Sequence, residues 1–402
     1  MKIVLVADGR SNITRNWIEC ISGKDVEINL VSTFPCEKPE KVREMVVLAV
    51  AFSRFAGGQV SLNGNKTSRK GLRKIMARIR GMLLNTRYRL GPFTIPLYRS
   101  QYMKFVKTVR PDVVHALRIP FEGMLASFTP AAFPLVISTW GNDLTLHARG
   151  SCRMASWTRK ALQRADGVMA DASRDLNLAK EWGIRTGVPT LVVPGNGGLD
   201  LAYFQQMKEE LSCGTQCFNP HKYQVVNPRG FRPGSVHQEV FFKAVPAMLK
   251  EIPEIQFLCP AMQGQKVAER WVRELGIEQQ VVLLPYLPQS ELWYLYNSSD
   301  VYISLSSHDG TPNTFLEALA CGCFPVVGDI VSLREWIEDG KTGKLIDPLD
   351  VEQASKAVVS ALRDKTLREN AKALNWMMLE EKADRKKVRA KVMAFYKKVA
   401  AN

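Results

Sequence analysis

Short apolar runs alternate along this chain with segments in which apolar residues return every three or four positions. Residues 2–6 (KIVLV) predict a buried strand, residues 8–12 a loop, and Trp17 and Ile21 sit on the helix that follows. Further strands are predicted at 26–31, where Val26, Ile28 and Leu30 alternate, and at 111–115, 135–138, 167–170 and 190–193. The pattern restarts after the Gly/Pro-rich PGNGG at 194–198. A poorly periodic stretch over roughly 208–223 reads as an insertion or a loose linker. Helices at 236–249, 266–275, 289–297 and 313–320 are then followed in turn by strands at 255–259, 281–284, 301–305 and 324–328. Apolar strands that alternate with helices argue for parallel sheets covered on both faces. At 402 residues the chain exceeds one core. The expectation is α/β, with two doubly wound Rossmann-like domains, 1–197 and 198–375, facing a central cleft, and a helical tail, 376–402, packing back on the first. Ligands of such folds bind beyond the C-terminal ends of the strands.

Composition narrows this picture. An apolar fraction of 46% and a charged fraction of 23% are those of a globular protein, which excludes disorder as the main state. No run of about 18 uncharged apolar residues occurs, so no membrane-spanning helix is predicted. Asp8 and Arg10 interrupt the apolar start too early for a signal peptide, and the expected location is cytoplasmic. Eight cysteines are too dilute for a disulfide scaffold, and Cys213 and Cys217 lack the partners of a zinc site.

The net charge of +16 is concentrated: residues 66–99 hold ten Lys or Arg and no Asp or Glu. Leu72, Ile75, Met76, Ile79, Met82 and Leu83 recur at helical spacing there, which predicts a basic amphipathic helix. Such a helix either meets an anionic membrane surface or acceptor, at roughly 1 kcal/mol per basic residue, or docks on its own domain with a solvated basic face. No nucleic-acid module accompanies the charge, so nucleic acid is not an expected partner.

The densest polar cluster is SSHDGTPNTFLEALACG at 306–322. It follows a predicted strand, turns at Gly310 and Pro312, and enters a helix near Asn313. Backbone N–H groups at that turn and helix start are suited to phosphate oxygens. Asp309 precedes the helix and Glu317 lies a turn into it, so the two carboxylates bracket a ligand rather than share a face. Glu317 sits among Phe315, Leu316, Ala318 and Leu319; it is either a ribose-binding carboxylate, accepting two hydrogen bonds from a diol, or a helix-surface glutamate.

DGTPNTFLEALACGCFPVVG, followed by SLREWIEDGKTGKLIDPLD, resembles the nucleotide-sugar site of family 4 of the retaining GT-B glycosyltransferases. The family's two acids are separated by seven residues, as Asp309 and Glu317 are here, with Asp where Glu is more usual. The resemblance implies that Glu317 binds the donor ribose, that Asp309 lies near the transferred sugar, and that Gly310 and Thr311 lie by the sugar and phosphates. PRGFRPGS at 228–235 stands where the family grips the diphosphate with an Arg and then a Lys. Arg229 fits the first place; Ser235 falls in the second, where Arg232 or Lys243 could substitute, and Arg232 is the expected one. With no Asp-rich metal loop, guanidinium groups and helix N-termini are expected to stabilise the leaving diphosphate. In the first domain DGRSNITRNWI at 8–18, with Arg10 and Ser11, is similar to the loop that lies against diphosphate and acceptor. STWGND at 138–143 resembles another cleft loop, with Trp140 where many members have histidine, and Asp143 is then expected to orient a hydroxyl. VVPGNGGLD at 192–200 is similar to the interdomain segment, where Gly197 and Gly198 would allow close approach of the donor.

The function this implies is transfer of a sugar, with retention, from a UDP- or GDP-sugar to an acceptor hydroxyl, without cofactor or metal. A lipid-linked or cell-surface saccharide precursor is the preferred acceptor, met at the inner face of the membrane through the stretch 66–99. A soluble secondary-metabolite transferase, another GT-B enzyme such as an epimerase, or a non-catalytic GT-B-like binding module stand as alternatives.

Overall fold

A computed structural model describes residues 1–54, 86–213, 222–232 and 234–401. The basic helix expected at 72–83 and Cys217 therefore lie outside the described residues. The chain divides into two units, Met1–Gly198 with Lys386–Asn402, and Leu199–Arg385.

The first unit is built on a seven-stranded sheet of order β3-β2-β1-β4-β5-β6-β7. Its strands are β1 (Lys2–Ala7), β2 (Glu27–Ser32), β3 (Met45–Val47), β4 (Val113–Ala116), β5 (Leu135–Thr139), β6 (Gly167–Ala170) and β7 (Thr190–Val192), and every neighbouring pair is parallel. β1 shows why the sequence reads as a continuous apolar run. Val4 and Val6 enter the core on one face, while Ile3, Leu5 and Ala7 enter the core on the other. A strand covered on both faces has no position left for a polar residue.

The second unit repeats the plan in a six-stranded sheet, β10-β9-β8-β11-β12-β13. The strands are β8 (Tyr223–Val226), β9 (Ile255–Cys259), β10 (Val281–Leu283), β11 (Val301–Ser304), β12 (Phe324–Gly328) and β13 (Lys344–Ile346). Val301 and Ile303 face one core and Tyr302 the other. In both sheets the chain winds outward from a central strand to one edge, then returns and winds to the other. The reversal lies between β1 and β4 in the first unit and between β8 and β11 in the second. At such a crevice the connecting segments diverge and leave room for a ligand.

Four features differ from the sequence reading. β3 and β13 have three residues each, too short to display a period. The stretch expected to be loose begins within the helix Leu201–Cys213, and its last residue, Tyr223, opens the central strand β8. The tail is two helices, Lys365–Lys382 and Arg385–Ala400, and only the second belongs to the first unit. Leu199 causes the break: its N–H donates to the Ala383 carbonyl at 2.8 Å and its carbonyl accepts from Arg385 N–H at 2.8 Å, which replaces helical bonding with a strand-like bridge.

Arg385–Ala400 is fixed in the first unit by a buried polar chain. Trp17 Nε1 donates to the Tyr396 hydroxyl at 3.3 Å, that hydroxyl lies 2.6 Å from His115 Nδ1, and His115 Nε2 lies 2.8 Å from Ser138 Oγ. Burial lowers the His115 pKa to about 3, so the ring is neutral and structural.

Candidate active site

In the second unit, the reversal gathers most of the residues singled out from the sequence. β8 leads through Asn227 into Arg229, and β11 leads through Ser306 to Asp309. The Arg229 guanidinium donates from one nitrogen to the Asp309 carboxylate and from the other to Thr314 Oγ1 at 3.3 Å. Arg229 is almost fully buried, and its Nε has no hydrogen-bond partner. Arg232 is exposed at its rim. Repulsion from Arg229 lowers the Arg232 pKa, so the two cations share one space. Such a pair suits a ligand with more than one negative charge.

The loop after Asp309 is held by its own side chains. Gly310 N–H donates to Asp309 Oδ1 at 3.0 Å, Ser332 Oγ to the Asp309 carbonyl at 2.9 Å, and Trp336 Nε1 to Thr311 Oγ1 at 3.1 Å. Pro312 caps the helix Asn313–Cys321 without a side-chain hydrogen bond, and the first turn contains no acid. The positive end of this helix thus carries neither a side-chain cap nor an acid to offset it.

Glu317 lies on this helix with only 3% exposure, accepting a hydrogen bond from Gln289 Nε2 at 2.7 Å. Burial pushes its pKa up to about 7, against the pull of the Gln289 amide. This excludes the helix-surface reading. A buried carboxyl with one protein donor costs stability, and hydroxyl donors from a ligand would offset that cost. Gln289 was missed in the sequence because it begins a separate helix, Gln289–Asn297.

In the first unit, the reversal opens into a cavity of about 300 Å³ whose walls include Asp8, Arg10, Ser11, Arg87, Arg118, Glu122 and Trp140. Arg10 makes a two-point contact with Asp8, at 3.1 and 3.0 Å, with its guanidinium 3.8 Å from the centre of the Phe34 ring. Ser11 caps the helix Asn12–Ile21 by accepting from Ile13 N–H at 3.2 Å. Asp143 departs from its expected role. Its side chain is fully enclosed, and its oxygens accept from Arg118 at 2.6 Å, Ile119 N–H at 3.1 Å and Trp140 N–H at 3.4 Å. It positions Arg118 instead of presenting an oxygen to a substrate hydroxyl. Gly197 also has a local reason to be glycine: φ is 80°, and a Cβ there would lie 2.6 Å from Cys20 Cβ.

The sequence reading missed Arg87, Arg118 and Glu122. Thr33 Oγ1 donates to Glu122 at 2.9 Å, and burial pushes the Glu122 pKa up to about 7 while Arg118 and Arg87 oppose the shift. Tyr88, also on the wall, places its hydroxyl 2.5 Å from His147 Nδ1, and burial lowers the His147 pKa to about 4.

Comparison with known proteins bears on the second unit above all. Residues 235–374 match the family described as glycosyl transferases group 1. An O-antigen chain mannosyltransferase B from Escherichia coli is 33% identical over 105 residues, which cover 26% of this chain and 25% of that protein. A GDP-mannose-dependent α-(1-6)-phosphatidylinositol monomannoside mannosyltransferase from Mycolicibacterium smegmatis is 28% identical over 138 residues, covering 32% and 35%. The matches thus span about a quarter to a third of these relatives' lengths. A sucrose-phosphate synthase structure from Thermosynechococcus elongatus superposes with a TM-score of 0.72 at 14% identity, covering 100% of this chain and 99% of that one. The two Rossmann-like domains are those of the GT-B fold, and residues 235–374 match the model of the glycosyl transferases group 1 family.

Proposed function

We propose that this protein transfers a glycosyl group, with retention, from a UDP- or GDP-sugar to a hydroxyl of a lipid-linked or cell-surface saccharide precursor. The observation that carries the reading is the convergence of Arg229, Arg232, Asp309 and Glu317 at one strand reversal of a group 1 glycosyltransferase domain. Glu317 accepts hydrogen bonds from the ribose diol. Arg229 and Arg232 take the diphosphate, whose charge rises as the bond from the sugar anomeric carbon to phosphate oxygen breaks. Asp309 holds Arg229 in place and lies near the transferred sugar. The acceptor oxygen forms the new bond on the face the phosphate leaves, and its proton passes to the departing phosphate oxygen. Two guanidiniums and a helix N-terminus supply the positive charge, so no cofactor or metal is needed; transfer should persist in excess EDTA.

The names of the two mannosyltransferases support a saccharide or glycolipid acceptor. A peripheral site at the inner face of the membrane is supported by the described end of the basic stretch. There Leu90, Phe93 and Leu97 are exposed, beside Arg89 and Arg99. Among the described residues no helix is long and apolar enough to cross a membrane.

The test is mass-spectrometric turnover of a panel of UDP-, GDP- and other nucleotide-sugars, with and without a mixed lipid extract, by the parent protein and Glu317→Gln. The expected result is nucleotide release from one donor, raised by the extract and lost in the variant. Silence from every donor in a folded protein would favour a binding module. Liposome co-sedimentation checks the membrane contact, and equal recovery with neutral and anionic vesicles would remove it.

A further inference from the structure

The cavity of the first unit contains a cation that the rest of the site does not neutralise. Arg10 is paired with Asp8, and Arg118 with Asp143. Arg87 stands apart. Its guanidinium lies 4.8 Å from the centre of the Phe121 ring and 5.4 Å from that of Phe34. Its Nε is buried without a hydrogen-bond partner, and among the described residues no carboxylate lies within ion-pair distance. Arg118 Nε is likewise buried and unpartnered. Glu122 is the acid that could compensate, but its carboxyl is bonded to Thr33 and burial favours its protonated form below neutral pH.

The backbone around Arg87 is arranged at some cost. Phe121 has φ of 67°, a left-handed conformation that a bulky residue rarely adopts. The ring under Arg87 is admitted by Gly91, where a Cβ would lie 2.9 Å from Phe121 Cε1. Aromatic faces on a guanidinium leave its in-plane N–H groups for an acceptor. The Ser11-capped N-terminus of the helix Asn12–Ile21, with no acid in its first turn, adds positive potential at the same wall.

We infer that this cavity binds an oxyanion, a phosphate or carboxylate group of the acceptor, through Arg87 and Arg118 with Arg10 at its edge. The word acceptor rests on the glycosyl-transfer reading; the anion site does not. The acceptor would then be an anionic molecule such as a phosphorylated glycolipid or an acidic saccharide. The same chemistry could come from the donor's diphosphate, and the experiment separates the two sources.

The full chain is titrated with inorganic phosphate at constant ionic strength and pH 6.5, followed by tryptophan fluorescence, since Trp140 lines the cavity. UDP and GDP are titrated in parallel. Arg87→Met is expected to weaken phosphate binding about tenfold or more, as for loss of a charged hydrogen-bond donor, while Arg87→Lys retains most of it. Nucleotide affinity should stay within about twofold in both variants. Because Arg87→Met breaks no ion pair among the described residues and Arg87→Lys keeps a cation beside the Phe34 and Phe121 rings, both variants should melt close to the parent, which keeps loss of binding distinct from loss of fold. No phosphate binding by the parent, or equal binding by Arg87→Met, would overturn the site. A parallel fall in UDP or GDP affinity would overturn its assignment to the acceptor. Phosphate binding that depends on Arg87 in a protein without transfer activity would keep the anion site and sink the glycosyltransferase reading.

Discussion

The two strand reversals of this molecule differ in how they hold the arginine singled out at each. At the second, Arg229 is committed to Asp309, and a ligand phosphate must compete with that carboxylate. At the first, two arginines are committed to carboxylates, while a third, Arg87, is held between aromatic rings. A pre-paired cation is a precise but partly neutralised donor; an unpaired one keeps its full attraction at the cost of desolvation. The difference suggests a division of labour, with the second reversal shaped for a diphosphate and the first for a singly placed anion.

The strongest challenge to that division is Arg229→Met. It should lower the rate of both transfer and donor hydrolysis by about 10²–10³, the usual cost of removing a group that stabilises leaving-group charge. A variant that lost transfer but hydrolysed donor normally would move the donor's diphosphate elsewhere. Next is Arg118→Met, which leaves the enclosed Asp143 without its cation and should cost about 3 kcal/mol of stability in chemical denaturation. If Arg118→Met proved no more destabilising than Arg87→Met, the contrast between committed and uncommitted arginines would fail.

Glu317 sharpens the donor half through pH. A carboxyl raised from 4.5 to about 7 in the folded chain disfavours folding increasingly as pH climbs from 4.5 to 7. Glu317→Gln should therefore gain up to about 3 kcal/mol relative to the parent at pH 8, a margin that shrinks towards pH 5. Donor binding should run the other way, because the ionised carboxylate is the better acceptor for a diol. Calorimetry should find the parent binding donor about tenfold more tightly at pH 8 than at pH 6, and Glu317→Gln binding weakly with little pH dependence. A pH-independent parent would remove ribose from Glu317. The smallest effect concerns neither site. Tyr396→Phe deletes the hydroxyl between Trp17 and His115 and should cost about 1–3 kcal/mol, with donor affinity unchanged.

The second reversal was legible in the sequence because its parts are nearly contiguous. Asp309 to Glu317 is one strand end, one turn and one helix start, so a contiguous motif carries their geometry, whereas Arg229 was placed by the resemblance of PRGFRPGS to the family's diphosphate segment. The first reversal was not. Arg87 is one of ten basic residues between 66 and 99, with nothing local to distinguish it. Arg118 and Glu122 lie on an irregular turn after β4, where Phe121 adopts a conformation that no propensity anticipates. Asp143 drew attention through the resemblance of STWGND to a cleft loop, but a sequence does not tell whether an acid's lone pairs face a ligand or its own backbone. The sheets were read from their apolar runs, except for the three-residue β3 and β13 and for β8, whose first residue closes the stretch that reads as loose.

The return of Arg385–Ala400 to the first unit bears on how the protein is made. During synthesis the strands β1 to β7 leave the ribosome first, yet the wall that receives Val388, Val392 and Tyr396 stays open while the whole second unit is translated. For that interval Trp17, Ile18 and Ile21 lack their covering helix. A nascent chain halted after β13 is thus expected to expose an apolar strip on its oldest part, and chaperone capture should end only once residue 396 has emerged.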